Sequence, residues 1–359
     1  MGNDHHEERA GRSLPPLSVI IPTLNEAGAV PGLIQQLHRQ KGIDPEIIVA
    51  DGGSTDDTIA RVKSLSVRLC TAPKGRAAQM NRGVEQSQGE LLLFLHADSH
   101  LTAPDQLARA VTAWQESMHA NRNAPKIIAG HFPLRFIDQP PGKGWLFHFY
   151  EEKSRLNRAF CINGDQGFLL SRSHFEQLGG FDDTLPFFED QRLARRLFQH
   201  GRWFTLPDPL ETSARRFRQE GTAQRIALNA LIMVAFHGDA RTVLERTAQL
   251  YRQQDRSDHL AMRPILTAVQ QEIRRHPLGE RLALWRRLGR FVRDAGAWQL
   301  GFMVDLLLSH LVKRPIRPLL TLYDRVIHPV IRLAPFDWLA AGVAWLLFQM
   351  LRLGFLLED

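Results

Sequence analysis

Three short stretches of this chain carry side chains of the kinds that handle cations, phosphates and protons. His96-Ala97-Asp98 follows five consecutive apolar residues, Leu91 to Leu95. An imidazole and a carboxylate at the end of a buried strand can hold a divalent cation against a phosphate, the plain alternative being a polar turn that closes a core strand. Asp51-Gly52-Gly53-Ser54 sets a carboxylate beside two glycines that allow close backbone approach. Glu189-Asp190 opens a helix whose apolar side carries Leu193, Leu197 and Phe198. A helix start favours an ionised carboxylate, which can accept a proton from a hydroxyl.

These stretches sit at the ends of elements with a clear rhythm. Leu17 to Ile21 reads as an apolar strand, and Val30, Leu33, Ile34 and Leu37 repeat at helical spacing behind the loop Pro22 to Glu26. Ile47 to Ala50 is the next buried strand, with Ser54 or Thr55 expected to cap a helix that begins near Asp56. Val67 to Cys70 is a third strand, Lys74 to Asn81 opens another helix, and the Leu91 strand follows. Strand and helix alternating at short spacing imply a doubly wound α/β sheet, whose ligand crevice lies beyond the carboxyl ends of the strands. There is no G-x-G-x-x-G after the first strand and no G-x-x-x-x-G-K-[ST] loop, so a nucleotide here is held by side chains and a metal rather than by a glycine-rich turn. The same gap speaks against a sugar-phosphate nucleotidylyltransferase.

The 359 residues carry a net charge of +7, with 44% hydrophobic and 23% charged residues. The charge is uneven: residues 241–359 hold 18 Lys and Arg against 11 Asp and Glu, leaving 27 of each in the first 240. Beyond about residue 241 the pattern is helical throughout. Arg281, Arg286, Arg287, Arg290 and Arg293 alternate with Leu282, Leu284, Trp285, Leu288 and Phe291, and residues 299–312 and 336–357 are more apolar still. A cationic amphipathic segment of this kind suits an anionic bilayer surface. The cleanest apolar window, Trp338 to Phe348, is eleven residues, short of the roughly 20 of a straight span. Helices lying on the inner leaflet are therefore expected, a soluble bundle or homo-oligomer being the alternative and a true span the third choice. Nucleic acid is a poor partner for so apolar a tail. With two distant cysteines, Cys70 and Cys161, and a polar start without the apolar core of a signal peptide, the chain is expected in the cytoplasm. The expected organisation is a polar tail over 1–16, a catalytic domain over 17–237 and a helical region over 238–359.

The motifs Ser18 to Glu26, Val49 to Asp56, Leu95 to Asp98, Gly179-Gly180-Phe181-Asp182 and Glu189-Asp190, in this order, resemble those of family-2 glycosyltransferases with the GT-A fold. Lys74 to Asn81 together with His96-Ala97-Asp98 is similar to the rSAM/selenodomain-associated transferase 2 branch. The resemblance implies a GT-A-type mixed sheet with a Rossmann-like nucleotide-binding half, followed by an all-helical C-terminal region. It implies an inverting transferase acting on a nucleotide-sugar, a UDP-sugar above others, with Mn²⁺ or Mg²⁺ as cofactor. Thr23, Glu26 and Asp51, with Pro22, Asn25, Gly53, Gln79, Asn81 and Ala97, would border the nucleotide, and Arg76 the base or diphosphate, where a fork of donors suits phosphate better than a lysine does. Asp98 matches the last carboxylate of the family's Asp-x-Asp metal motif. His96 departs from it, either as a second ligand that favours Mn²⁺ or as a partner of the ribose or a core carbonyl. Gly164, Asp165 and Gln166 would border donor sugar and acceptor, and Asp190 would be the base, supported by Glu189. A binding module lacking catalysis is the alternative from another class, against which an intact Asp98 and Asp190 speak.

Overall fold

The computed structural model describes residues 14–121, 127–254 and 259–356; the expected polar tail lies almost wholly outside them. The chain divides into two compact units, one running to Ile137 and resuming over Tyr150–Ser213, the other comprising Asp138–Phe149 and everything from Ala214. By this division the helical unit takes in Ala214 onward rather than starting at 238, with α9 below packed on α10, α11 and α12.

The first unit contains, in order, β1 (Leu17–Thr23), α1 (Val30–His38), β2 (Glu46–Asp51), α2 (Thr58–Lys63), β3 (Arg68–Thr71), α3 (Arg76–Glu85), β4 (Leu91–Phe94), β5 (Ser99–Leu101), α4 (Gln106–Ala120), β6 (Ile127–His131), β7 (Leu134–Ile137), the last part of α5 (Gly144–Ser154), β8 (Phe168–Ser171), α6 (Arg172–Gln177), α7 (Glu189–His200), β9 (Gly201–Thr205) and β10 (Leu210–Ser213). Seven strands form one mixed sheet in the order β3-β2-β1-β4-β8-β6-β9, and β5, β10 and β7 form a small second one. β1 pairs in parallel with β2 and β4, as the strand-helix alternation implies. β8 enters antiparallel to both β4 and β6, which makes the sheet mixed. β1 and β4 are buried along their whole length, so their continuous apolar runs follow from having both faces covered. Side chains alternate between two cores, Val19, Ile21, Leu91 and Leu93 on one face and Ile20, Ile48, Leu92 and Phe94 on the other.

Two local expectations are corrected. Ser54 and Thr55 do not cap α2, which starts at Thr58; the Ser54 hydroxyl donates to Asp51 Oδ1 (2.5 Å) and the Thr55 amide to Asn25 Oδ1 (2.8 Å). Gln79, expected at the nucleotide, is buried and donates its carboxamide to the carbonyls of Thr23 (2.6 Å) and Ala50 (3.0 Å). It ties α3 to the ends of β1 and β2, where two buried carbonyl oxygens need donors.

The second unit runs through the start of α5, then α8 (Arg215–Gln219), α9 (Thr222–His237), α10 (Arg241–Arg252), α11 (Met262–Arg275), α12 (Leu278–Val312), α13 (Pro318–Leu322), α14 (His328–Ile331) and α15 (Pro335–Leu356). α15 returns along α12, and the two backbones meet where Gly289 lies flush against Ala340 and Ala341. Arg293 donates to Asp337 Oδ1 at 2.6 Å, while Arg290 and Arg286 reach Asp337 Oδ2 at 3.5 and 3.7 Å. Part of the cationic face expected over residues 281–293 is therefore spent on a carboxylate within the bundle. Asp305 accepts from the amides of Leu319 and Leu320 and so starts α13 against α12.

Replacing Gln79 by Ala removes two buried hydrogen bonds that tie α3 to the strand ends, at about 0.5–1.5 kcal/mol each, while the Thr23 carbonyl keeps the Gly52 amide as a donor. Urea unfolding of Gln79→Ala is expected to show a loss of about 1–3 kcal/mol; an unchanged midpoint would remove the strand-tying role.

Candidate active site

The carboxyl ends of β1, β2 and β4 lie side by side, with Thr23 in register with Asp51 and Ile20 with Phe94. The first two loops are bonded chiefly to each other. Asp51, fully buried, accepts from the Gly53 amide (2.8 Å), the Ser54 amide (2.9 Å) and the Ser54 hydroxyl, with the Thr23 hydroxyl at 3.4 Å. Both of its oxygens are thus used within the turn, and Gly53, at φ +91°, supplies the left-handed conformation that the turn requires. Asn25, also left-handed, uses Oδ1 on Thr55 and its amide on Ser54 Oγ, and the Glu26 amide donates to Thr58 Oγ1. Pro22 in β1 and Ala97 in the turn after β4 are buried and offer no side-chain donors.

The chemistry gathers at the other side of the crevice. α7 starts directly after Phe188, held at φ +63°, a conformation that costs a bulky side chain energy and fixes the direction of Glu189 and Asp190. Asp190 is 5% exposed. Its Oδ2 accepts from the Gly164 amide at 2.6 Å and its Oδ1 from the Gln191 amide at 2.7 Å. A Cβ on Gly164 would lie 2.9 Å from Asp190 Oδ2 and 3.3 Å from His96 Nε2, so only glycine permits this approach. Arg76, at the start of α3, donates through Nε to Glu189, places Nη2 3.9 Å from Asp190 Oδ2 and lies with Nη1 3.4 Å from His96 Nε2. Residues expected separately at the diphosphate, the metal and the base are thereby one cluster.

Three carboxylates around one guanidinium are electrostatically unequal. Burial pushes the Asp190 carboxyl above the usual range and Glu189 adds to it, while Arg76 and the two backbone amides pull the other way. Burial works against the charge of Arg76, but Glu189 and Asp190 outweigh it and raise its pKa. Asp165 is pushed up to about 7 by burial and by Asp190, opposed by Arg76, with Asp98 adding to the rise. Its Oδ1 is buried without a hydrogen-bond partner. A carboxylate so placed lacks a proton or a cation.

The donors present suit a cation only in company. Among the described residues no three or more His, Cys, Asp and Glu side chains are grouped as for a resident metal ion. Asp98 and His96 are both partly exposed, with Ala97 buried between them, and the unsatisfied Asp165 oxygen lies in the field of Asp98. Such a set fits an ion that completes its shell with phosphate oxygens and water.

Two more expected contacts are corrected. Asn81 spends its carboxamide within the fold: it donates to the Phe181 carbonyl (2.9 Å) and accepts from the Phe181 amide (3.0 Å), pinning the Gly179-Gly180 turn to α3. Gln166 is fully buried, donating to the Ser154 carbonyl (2.8 Å) and accepting from the Asn163 amide. With its Nε2 2.9 Å from His131 Nδ1, it is a strut beneath the Gly164 loop. Two positioning residues had gone unnoticed. Gln191 donates to the Ile162 carbonyl and to Asn163 Oδ1, fixing the loop that bonds Asp190. Buried His131 sits between Gln166 and Asn157. The Asn163-x-x-Gln166 capping box was a legible signal for the loop; nothing in the sequence singles out Gln191.

Residues 18–179 match the model of Glycosyl transferase family 2. A PGL/p-HBAD biosynthesis glycosyltransferase of Mycobacterium bovis is 43% identical over 102 residues, covering 26% of this chain and 40% of the relative. An uncharacterized glycosyltransferase of Haemophilus influenzae is 23% identical over 188 residues, covering 51% and 62%. The match thus spans less than two thirds of either relative. Among solved structures, the mannosyltransferase PcManGT from Pyrobaculum calidifontis in complex with GDP-Man and Mn²⁺ aligns with a TM-score of 0.45 at 18% identity, covering 92% of this chain and 86% of that one. S. aureus TarS in complex with UDP aligns at 0.46 and 17%, covering 86% and 91%.

The raised pKa of Asp165 makes a signed prediction for the metal-free protein. The folded state binds this proton more tightly than the unfolded chain, whose ordinary value is 3.8. The folded state is therefore favoured below that value, and the advantage is lost as pH rises through about 7. In chelator, Asp165→Asn is expected to melt higher than the parent at pH 8 and close to it at pH 5. Mn²⁺ with a nucleoside diphosphate is expected to narrow the pH 8 gap; equal melting at both pH values would show that the carboxylate is relieved by water.

Proposed function

We propose that this chain is a nucleotide-sugar-dependent hexosyltransferase of the branch that the Lys74 to Asn81 motif resembles, taking a nucleoside-diphosphate sugar, a UDP-sugar above others, and inverting the anomeric centre in one displacement. The observation that carries the reading is the buried Asp190, bonded by the Gly164 amide and set beside Arg76 in the unit that holds the family-2 match. A carboxylate whose pKa lies above the usual range is a stronger base while ionised, which is what removal of a proton from an acceptor hydroxyl requires. Glu189 holds Arg76 in place, leaving part of the 39% exposed guanidinium side chain to face a diphosphate. Gly164 and Asp165 border the same base, where sugar and acceptor hydroxyl must meet. Asp98, with His96, would hold a divalent cation against the diphosphate, and the cation supplies neutralisation of the departing charge. With Asp51, Asn25 and Ser54 bonded among themselves, the nucleoside would meet a wall preorganised by the first two loops rather than free side chains. The acceptor is a hydroxyl compound, a lipid-linked one being the kind that the apolar helical unit favours.

The test separates binding from transfer. Asp190→Asn is expected to keep nucleoside-diphosphate affinity within a few fold by calorimetry and to lower transfer or donor hydrolysis by about 10²–10⁴-fold. The acid limb of the parent's pH profile is expected above the ordinary carboxylate range, activity falling as pH drops and Asp190 takes up its proton. Near-normal turnover of Asp190→Asn would falsify the base assignment, and nucleotide binding by a parent that turns over no donor would mark the unit as a binding module.

A further inference from the structure

Beyond the reaction, the second unit presents apolar surface with no partner in the fold. On α15, Leu339 (63% exposed), Val343, Leu346, Leu347, Met350 (59%) and Leu353 (63%) recur at three- and four-residue spacing. They form one stripe along the helix, opposite the face of Ala340, Ala341, Ala344 and Phe348 that packs inward. The far half of α12 carries a second stripe, Leu300 (67%), Met303, Val304, Leu307 and Leu311. Between the two helices the chain exposes Leu322, Val326, Val330 and Leu333. α12 and α15 are both long and apolar enough to cross a membrane, yet only 28% of each one's most apolar window is buried.

Charge decides between occupants. The connector over 313–334 contains Lys313, Arg314, Arg317, Arg325 and Arg332, all exposed, against Asp324 alone. Midway along the α15 stripe, Trp345 walls a cleft of about 250 Å³ that Arg274 and Arg281 also line, and Arg281 Nε is buried without a hydrogen-bond partner. Cations so placed would repel their copies across a symmetric dimer, whereas at a bilayer they reach the phosphates while leucines enter the hydrocarbon. A charged connector joining two helices also opposes a spanning hairpin, since it would have to be carried across the hydrocarbon.

We propose that the α12–α15 region seats this unit in the surface of an anionic bilayer, apolar stripes in the acyl boundary and connector arginines at the phosphates, with the cytoplasmic face of the cell membrane as its place of work. The measurement is flotation of the full chain with vesicles of phosphatidylglycerol and phosphatidylcholine, or of phosphatidylcholine alone, at low and high salt. Binding to the anionic vesicles is expected, weakened by salt, with a blue shift of tryptophan emission as Trp338 and Trp345 leave water. Arg314→Gln/Arg317→Gln/Arg325→Gln is expected to lower anionic-vesicle affinity roughly tenfold or more, and Leu339→Gln/Leu346→Gln/Met350→Gln to lower binding to either vesicle by a similar factor. Donor hydrolysis by both variants should stay at the parent's level, and because these residues are exposed their melting should too. A parent that remains unbound by anionic vesicles at low salt overturns the proposal. So does a dimer, seen by light scattering, that the leucine substitutions dissociate while no variant or parent binds lipid. Neither result bears on whether Asp190 is a base, so the two readings fail separately.

Discussion

One guanidinium set among carboxylates governs this structure. Arg76 at the head of α3 meets Glu189 and Asp190 at the head of α7, 113 residues later in sequence. Both helix N-termini therefore point into the same crevice, and each favours negative charge there. The helix dipoles and Arg76 allow Glu189 and Asp190 to be buried together, but they do not extend to neutrality: Asp165 is left with an unpaired oxygen and a pKa near 7. Like charges brought out of water must be relieved by protons or by cations. The same geometry thus creates a demand for positive charge that the fold leaves unmet, and on the proposed reading a cation carried in with a diphosphate would meet it.

Much of this could be read from the chain because strand ends and helix starts are local. The runs Leu17 to Ile21, Ile47 to Ala50 and Leu91 to Leu95 each became buried strands with polar ends in one crevice. Arg76, Asp98, Asp190 and Gly164 stand out by type and by position within ordered motifs. Gln79, Asn81 and Gln166 were misassigned for a physical reason: a carboxamide suits a nucleotide and a strand-end carbonyl equally well, and only the fold shows which is within reach. Asp51 carries the same ambiguity, its oxygens being taken by its own turn. The antiparallel entry of β8 and the strut Gln191 depend on contacts between distant segments, which no window of sequence contains.

The helical unit shows the converse problem. Arginines spaced among leucines on α12 read as a solvated cationic face, yet Arg286, Arg290 and Arg293 turn toward Asp337. A buried carboxylate on α15 drew them in, and a single Asp in an apolar segment was too weak a signal to reveal it. The free positive charge lies instead on the connector, where short helices and prolines keep the chain at the surface. Burying Gly289 against Ala340 and Ala341 brings the two helix backbones close, and that closeness sends the larger leucines of α15 outward. The exposed apolar stripe is a consequence of how the inner face packs.

Net charge then takes on meaning unit by unit. The first unit carries 22 Lys and Arg against 24 Asp and Glu, so on the proposed reading a diphosphate gains no long-range attraction from it and meets Asp98, Asp165 and Asp190 on arrival. Arg76, already shared between two carboxylates, cannot by itself offset an approaching dianion in that field. On the proposed reading, donor binding would therefore be coupled to uptake of a cation, of protons, or of both. The basic excess of the remaining chain lies in another unit and answers a different need, since a bilayer-seated unit would confine the enzyme to the phase in which a lipid-linked acceptor is concentrated. Raising the effective acceptor concentration in this way asks nothing of the catalytic carboxylates, so each unit's charge can be set by its own ligand.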